Sequence, residues 1–146
     1  MTTTPLPAYQ PPDYDALFRD ACHDVFALME RHRLDVLDAE YNGGGDSGQI
    51  DNVTGYTLPE GVTPPDHIEA DPNDRDDWLA TSPGSTVLYD AADRALSCFD
   101  PILGWENNEG AYGVLTFDRL HRRVIVSHDW YITTTENAQF EREVTP

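Results

Sequence analysis

The chain has 146 residues, a length typical of one domain, and its 27 acidic residues against nine basic ones give a formal charge of −18. Such a negative field disfavours binding to nucleic acid or to an anionic membrane surface, and it favours cations or basic protein surfaces as partners. All nine bases are arginine. A compositional bias of the genome or a salt-rich habitat is an alternative cause of the charge.

The N-terminal end differs in composition from the rest. Residues 1–12 read MTTTPLPAYQPP, which predicts an extended Pro-rich arm before a single domain at 13–146. The arm has neither the basic start nor the apolar run of a signal peptide, and no stretch approaches the ~18 apolar residues of a spanning helix. We therefore expect a cytoplasmic protein without a membrane segment. Cys22 and Cys98 fall among apolar helical positions and are expected to be free thiols.

The apolar periodicity changes along the chain in the order α-β-β-α-β-β. A helix is predicted after the N-cap Asp13 and a second over about 85–99, each with apolar residues at helical spacing. Alternating stretches predict four strands, at 37–41, 49–56, 112–118 and 123–131. We therefore predict an α+β fold with a mostly antiparallel sheet of about four strands and two helices packed on one face. The expected core set is Leu17, Phe18, Val25, Leu28, Val87, Leu88, Ala91 and Phe99.

Three segments show neither the helical spacing nor the strand alternation of apolar residues. The run 42–48 is expected to be a loop, because four glycines in seven residues disfavour regular structure. The connection 58–84 is rich in proline and acidic residues, so we interpret it as a long irregular segment that is too polar to form a second core. The tail 133–146 is polar, with Phe140 as its one apolar anchor.

Two polar loops are expected to meet at one end of the sheet. If the second helix crosses back over the sheet, the third strand starts at the end where the first strand stops. The polar residues near both loops then form the candidate site for a ligand or a partner: Asp46, Ser47, Gln49, Trp105, Glu106, Asn107, Asn108 and Glu109.

Three carboxylates of this set, Asp46, Glu106 and Glu109, are the expected ligands if the site holds Mg²⁺ or Ca²⁺, which prefer oxygen donors. Two carboxylates in one cleft could instead share acid and base roles. The structural alternative is that Asp, Asn, Ser and Gly stand here because they make turns by bonding to their own backbone. No other cofactor is indicated.

Two short motifs fail to define a catalytic or metal site. The tetrapeptide Gly45–Gly48 matches the nucleophile segment of chymotrypsin-like proteases, but the chain is too short for two β-barrels and lacks that family's histidine signature. The acid run from Asp71 to Asp77 has Asp76 where an EF-hand loop needs glycine, and Ser82 occupies the place of the closing glutamate. We therefore assign no catalytic residues, and the sequence favours a protein that is not an enzyme.

Two segments resemble the hallmarks of a known family. They are Glu40–Ile50, with the sequence EYNGGGDSGQI, and Gly104–Gly113, with the sequence GWENNEGAYG, which continues to Phe117 and Asp118. The family consists of small bacterial, plasmid and phage proteins described as a domain of unknown function. The resemblance covers roughly half of the chain and implies no activity. It implies a single-domain protein that is often carried on mobile DNA.

The charge and the lack of a catalytic set favour an interaction protein whose acidic surface binds a basic protein, for example to block a nucleic-acid-binding site or to neutralise a toxin. The alternative is a small divalent-cation-dependent enzyme or ligand-binding domain that uses loops 43–49 and 105–110. Direct binding to nucleic acid or to membranes is not expected, and the sequence does not define an oligomeric state.

Overall fold

The computed structural model describes residues 12–44, 47–66, 68, 75, 78–81, 86–99, 102, 110–130 and 136–145. The predicted Pro-rich arm therefore lies, except for Pro12, outside the described residues. Two helices and six strands follow in chain order: α1 (Tyr14–Arg31), β1 (Val36–Gly44), β2 (Ser47–Thr57), β3 (Leu79–Thr81), α2 (Thr86–Ser97), β4 (Ala111–Asp118), β5 (Arg123–Trp130) and β6 (Glu136–Glu143).

The strands form one sheet in the order β3-β2-β1-β4-β5-β6, and every neighbouring pair is antiparallel. The α+β class is confirmed, but the predicted count of about four strands is wrong. The two additional strands, β3 and β6, form the edges of the sheet. Their sequences give weak signals, because β3 has three residues within the Pro-rich connection and β6 has only Ala138 and Phe140 as apolar residues.

Helix α1 begins and ends with identifiable caps. The side chain of Asp13 accepts a hydrogen bond from the backbone N–H of Ala16 at 3.1 Å, as an N-cap should, so the predicted start is confirmed. At the other end Arg33 has a φ of 58°, and the N–H of Leu34 donates to the carbonyl of Met29 at 2.8 Å. This closure satisfies carbonyls that the helix leaves open and turns the chain into β1.

Both helices contribute to one hydrophobic core on the same face of the sheet. Five members of the expected core set are buried, namely Phe18, Val25, Leu88, Ala91 and Phe99, and Leu28 is partly buried against them. The assignment is wrong for Leu17 and Val87, which are 44% and 56% exposed because they lie beside the buried stripe of their helices. Across the helix–sheet interface, the ring of Phe26 meets that of Phe117 edge to face, with centroids 6.3 Å apart.

The glycine-rich segment is mostly strand, so its prediction as a loop is wrong. Strand β1 extends to Gly44 and β2 begins at Ser47, and these two residues pair directly. Two residues are left between the strands, which is a common length for a hairpin connection. A break in the register between Glu40 and Tyr41 inserts an extra residue in β2, as a β-bulge does.

The acidic connection after β2 crosses the face of the sheet opposite the helices. Ile68 packs against Ile125 of β5, with Trp78 and Val114 beside them, so the connection adds a small hydrophobic cluster to this face of the sheet. The guanidinium of Arg123 donates to the backbone carbonyls of Pro65 and Asp66 and to a carboxylate oxygen of Asp118. The connection is therefore attached to the sheet by apolar and by charged contacts.

Both cysteines are free, as expected, with Cys22 buried and Cys98 half-buried. Burial raises the pKa of the Cys22 thiol well above its ordinary value, so this thiol stays protonated. Within the described part of the chain, neither helix combines the length and the apolar character needed to cross a membrane.

Candidate functional site

The boundaries of the two predicted loops lie together at one end of the sheet. Gly43, near the end of β1, pairs with Ala111 at the start of β4, so the inferred meeting of these two strand ends is confirmed. Gly110 has a φ of +82°, and a Cβ built on it would overlap the carbonyl oxygen of Gly43. Only glycine combines this backbone conformation with so close an approach between two chain segments.

Two of the eight predicted site residues, Ser47 and Gln49, belong to the part of the chain that the structure describes. Gln49 lies in β2 with an exposed side chain, whose amide donates to the carboxylate of Asp51 at 3.3 Å, and Ser47 is the first residue of β2. The other members lie outside the described residues: Asp46, Trp105, Glu106, Asn107, Asn108 and Glu109. The metal set Asp46, Glu106 and Glu109 therefore stays a prediction. In the described ranges no group of three or more His, Cys, Asp or Glu residues could hold a metal ion.

Beneath this end of the sheet, on the helix side, Tyr41 and His128 form a buried pair. A hydrogen bond of 2.6 Å joins the Tyr41 hydroxyl to Nδ1 of His128, and the two rings stack with centroids 5.7 Å apart. Gly113 lies between them in the register, and a Cβ there would come within 2.5 Å of the Tyr41 hydroxyl. Because glycine has no side chain at position 113, Tyr41 can reach across β4 to His128 of β5.

Burial keeps both members of this pair neutral. Desolvation lowers the pKa of His128 to about 4, a shift that the carboxylate of Asp129 partly opposes. Burial also raises the pKa of Tyr41 far above its ordinary value. A neutral imidazole and a neutral phenol could exchange protons, but the two side chains are almost completely buried, so the pair serves to fix the register of three strands.

The opposite face of the same end carries polar side chains. Asn42 of β1 stands between Gln49 of β2 and Tyr112 of β4, and Tyr112 pairs with Asp129 of β5. Adjacent strands lie ~4.8 Å apart, so these side chains form a row across the sheet. Glu40 and Asn52 stand one step further along the same face. We call these six residues the open-face patch: Glu40, Asn42, Gln49, Asn52, Tyr112 and Asp129.

The open-face patch combines one accessible aromatic ring with amides and carboxylates. Its central residue, Tyr112, is 40% exposed. Asn42, Gln49 and Asn52 are exposed as well, whereas the two carboxylates are half-buried. An accessible aromatic ring surrounded by amides and carboxylates is suited to contact a partner's arginine or lysine side chain.

Further along this face, the connection buries a charged cluster. The guanidinium of Arg75 lies 3.2 Å from a carboxylate oxygen of Asp38, and both side chains are 1% exposed. The hydroxyl of Thr116 accepts from Arg75 at 3.2 Å and donates to Asp38 at 2.8 Å. The guanidinium also lies 5.9 Å from the ring of Tyr56 and 5.4 Å from that of Trp78.

Burial raises the pKa of Asp38 to about 6, although the nearby Arg75 charge and the Thr116 hydroxyl act in the opposite direction. Desolvation therefore outweighs the attraction of the ion pair. The cluster was missed in the sequence because an arginine within an acidic run is most simply interpreted as solvated.

A six-stranded antiparallel sheet, with helices on one face and a charged connection on the other, defines the architecture of this α+β protein. The chain belongs to a family of unknown function, DUF6878, whose sequence model matches residues 17–142. This match agrees with the resemblance to a domain of unknown function. No curated protein and no solved structure matches the chain significantly.

Proposed function

We propose that this protein is a non-enzymatic interaction protein whose acidic surface binds a basic surface of another protein. The surplus of 18 negative charges carries the proposal, since pairing every arginine with one carboxylate would still leave 18 carboxylates without a counter-charge. Five of the nine arginines already form ion pairs with aspartate: Arg75, Arg94, Arg119, Arg123 and Arg142. The arginines thus neutralise charge within the molecule, and the long-range field stays negative.

The open-face patch is the proposed contact surface. A guanidinium or ammonium group of the partner would lie over the ring of Tyr112, between the carboxylates of Glu40 and Asp129. Aromatic residues at the centre of an interface commonly carry much of its binding energy, and surrounding charges increase the association rate. A cytoplasmic nucleic-acid-binding protein or a basic toxin fits this chemistry, and a plasmid or phage origin would suit either role.

The test compares two pairs of neutralising substitutions. Tagged protein is used to capture partners from an extract of the native host at 0.15 M salt. We expect a basic protein to be retained by the wild type and released at 1 M salt, where the Debye length is ~3 Å. Glu40→Gln with Asp129→Asn should weaken retention, whereas Asp20→Asn with Asp90→Asn should not.

The control pair removes two exposed helix carboxylates, so it changes the net charge by the same amount outside the patch. Thermal unfolding of both variants checks that they fold. Equal retention by the two variants would exclude the open-face patch as the contact surface. A partner that is acidic, or the absence of any partner that salt releases, would contradict the proposed function itself.

A divalent-cation site is a second candidate, favoured by the backbone contact between Gly110 and Gly43. Loop 43–49 begins and loop 105–110 ends beside this contact, and the proposed ligands are Asp46, Glu106 and Glu109, which lie outside the described residues. The protein would then be a cation-dependent enzyme or ligand-binding domain.

Millimolar Mg²⁺, Ca²⁺ or Mn²⁺ is expected to raise the melting temperature if this site exists, since a ligand that binds only the native state stabilises it. Asp46→Asn with Glu106→Gln should abolish the increase. Asp90→Asn with Glu60→Gln is the matched control and should retain it. Melting temperatures and tryptophan emission that do not respond to any of the three cations would rule the site out.

A further inference from the structure

Strand β6 ends the sheet with a long and regular edge. All eight of its residues pair with β5 in one register, from Trp130 with Glu136 to Arg123 with Glu143, and the register has no shift. None of the other described strands pairs with the second side of β6. The backbone N–H and C=O groups on that side can accept a further strand.

The two edges of the sheet differ in how they are protected. The opposite edge, β3, has only three residues and so offers little backbone to a further strand. Strand β6 contains no proline, and its pairing is not interrupted by a bulge. Charge is therefore the main feature that protects β6 from pairing with other chains, and it takes the form of Glu136, Glu141 and Glu143.

These glutamates oppose the pairing of two copies of the protein. If two β6 strands pair antiparallel about a twofold axis, the seam between the copies holds six glutamates and two arginines. This excess of like charge disfavours the strand pair. The single arginine of β6, Arg142, is already engaged by Asp15 of α1 and cannot offset this repulsion.

The same charges favour a basic strand. Lysine or arginine opposite the glutamates of β6 would form attractive cross-strand pairs instead. The half-buried ring of Phe140, which meets Phe99 edge to face at 5.7 Å, offers an apolar contact at the middle of the edge. The charge of this edge thus disfavours a second copy and favours an extended segment of opposite charge.

We propose that β6 binds an extended basic segment of the protein partner as a seventh, antiparallel strand of the sheet. This inference rests on the proposed function, because it specifies how a basic partner is held. The backbone ladder would supply affinity, and the spacing of Glu136 and Glu143 would select segments with basic residues at both ends.

A synthetic peptide with the sequence of β6, in which lysine replaces each of the three glutamates, serves as the probe. Its control is the same peptide with proline in place of its glutamine, which keeps the charge but disfavours the extended ladder. At 0.1 M salt we expect the probe to slow hydrogen exchange of alternate β6 amides, and we expect the control to leave them unchanged.

Two double variants, each with two acidic residues replaced by neutral ones, show which part of the protein recognises the probe. Glu136→Gln with Glu143→Gln should weaken probe binding by about tenfold, because two cross-strand charge pairs are lost. Asp20→Asn with Asp90→Asn changes the net charge equally on the helices and should weaken it much less. Circular dichroism of both variants verifies the fold.

The outcomes separate the two proposals. If both peptides bind and neither protects β6, the edge proposal is overturned while an acidic surface that binds basic segments remains. If neither peptide binds, the edge proposal is overturned, and the capture experiment alone decides the proposed function. Equal weakening by the two variant pairs would show that general charge, and not the edge, recognises the probe.

Discussion

Replacing the buried cluster of Asp38, Thr116 and Arg75 by apolar residues is expected to leave the free energy of unfolding unchanged or to raise it by about 1–4 kcal/mol. The variant combines Asp38→Leu, Thr116→Val and Arg75→Met. Taking two charges out of water costs more than their mutual attraction returns, as the raised pKa of Asp38 indicates. Including Thr116 avoids leaving a buried hydroxyl without the partners it has in the native cluster.

Removing only one charged member of the cluster should instead lower the free energy of unfolding. Asp38→Leu alone leaves a buried guanidinium without the Asp38 carboxylate and is expected to lower the free energy of unfolding by about 3–5 kcal/mol. Denaturant unfolding with an unchanged m-value measures both effects.

The matched control for this single substitution is Asp24→Leu, because the Arg94–Asp24 pair is 55% and 60% exposed and should contribute no more than about 1 kcal/mol. If Asp38→Leu lowered the free energy of unfolding no more than the control, Arg75 of the connection would not be buried against Asp38 of the sheet.

Two buried groups are expected to oppose each other in the pH dependence of stability. The pKa of Asp38 is raised from 3.8 to about 6, so the native state binds more protons than the unfolded chain in this range. Its contribution to stability is therefore lost as the pH rises through 6. The pKa of His128 is lowered from 6.5 to about 4, so its contribution is lost as the pH falls through 4. Each shift corresponds to about 3 kcal/mol, and the two effects nearly cancel.

Removing either Asp38 or His128 should expose the pH dependence of stability that the other residue causes. Relative to the wild type, Asp38→Asn should lose about 3 kcal/mol of unfolding free energy as the pH is lowered from 6.5 to 4, whereas His128→Gln should gain about the same amount. Urea unfolding at pH 4, 5, 6 and 7 provides the comparison. The exposed control Asp20→Asn should follow the wild type. Curves for the two buried-site variants that run parallel to the wild type would show that neither pKa is shifted in the native state.

The sequence predicted those helices and strands that have one buried face and one solvent-exposed face. Helix α1 and the β4–β5 hairpin show strong periodicity, and both were located within a few residues. Strand β6 gives no such signal, since Ala138 and Phe140 are its only apolar residues. The glycine run misled the prediction for a different reason: Gly43 pairs with strands on both sides of β1 and Gly44 pairs with β2, and this pairing holds both glycines in a strand despite their low propensity.

The candidate site was predictable only in its position. Chain reversal implied that the end of β1 and the start of β4 meet, and the pairing of Gly43 with Ala111 agrees. The side chains beneath were not predictable, because Tyr41 and His128 are joined only through tertiary packing across β4. Likewise, nothing local to Arg75 indicates that its charge is buried against Asp38.

The strand order also has a kinetic consequence. Strands β1 and β2 form one local hairpin, and β4, β5 and β6 form a second local unit in which neighbours in sequence pair. A single seam, β1 with β4, joins the two units, and it pairs segments separated by the whole acidic connection and α2. Loop-closure entropy is therefore concentrated at this seam, so we expect pairing of β1 with β4 to limit the rate of folding.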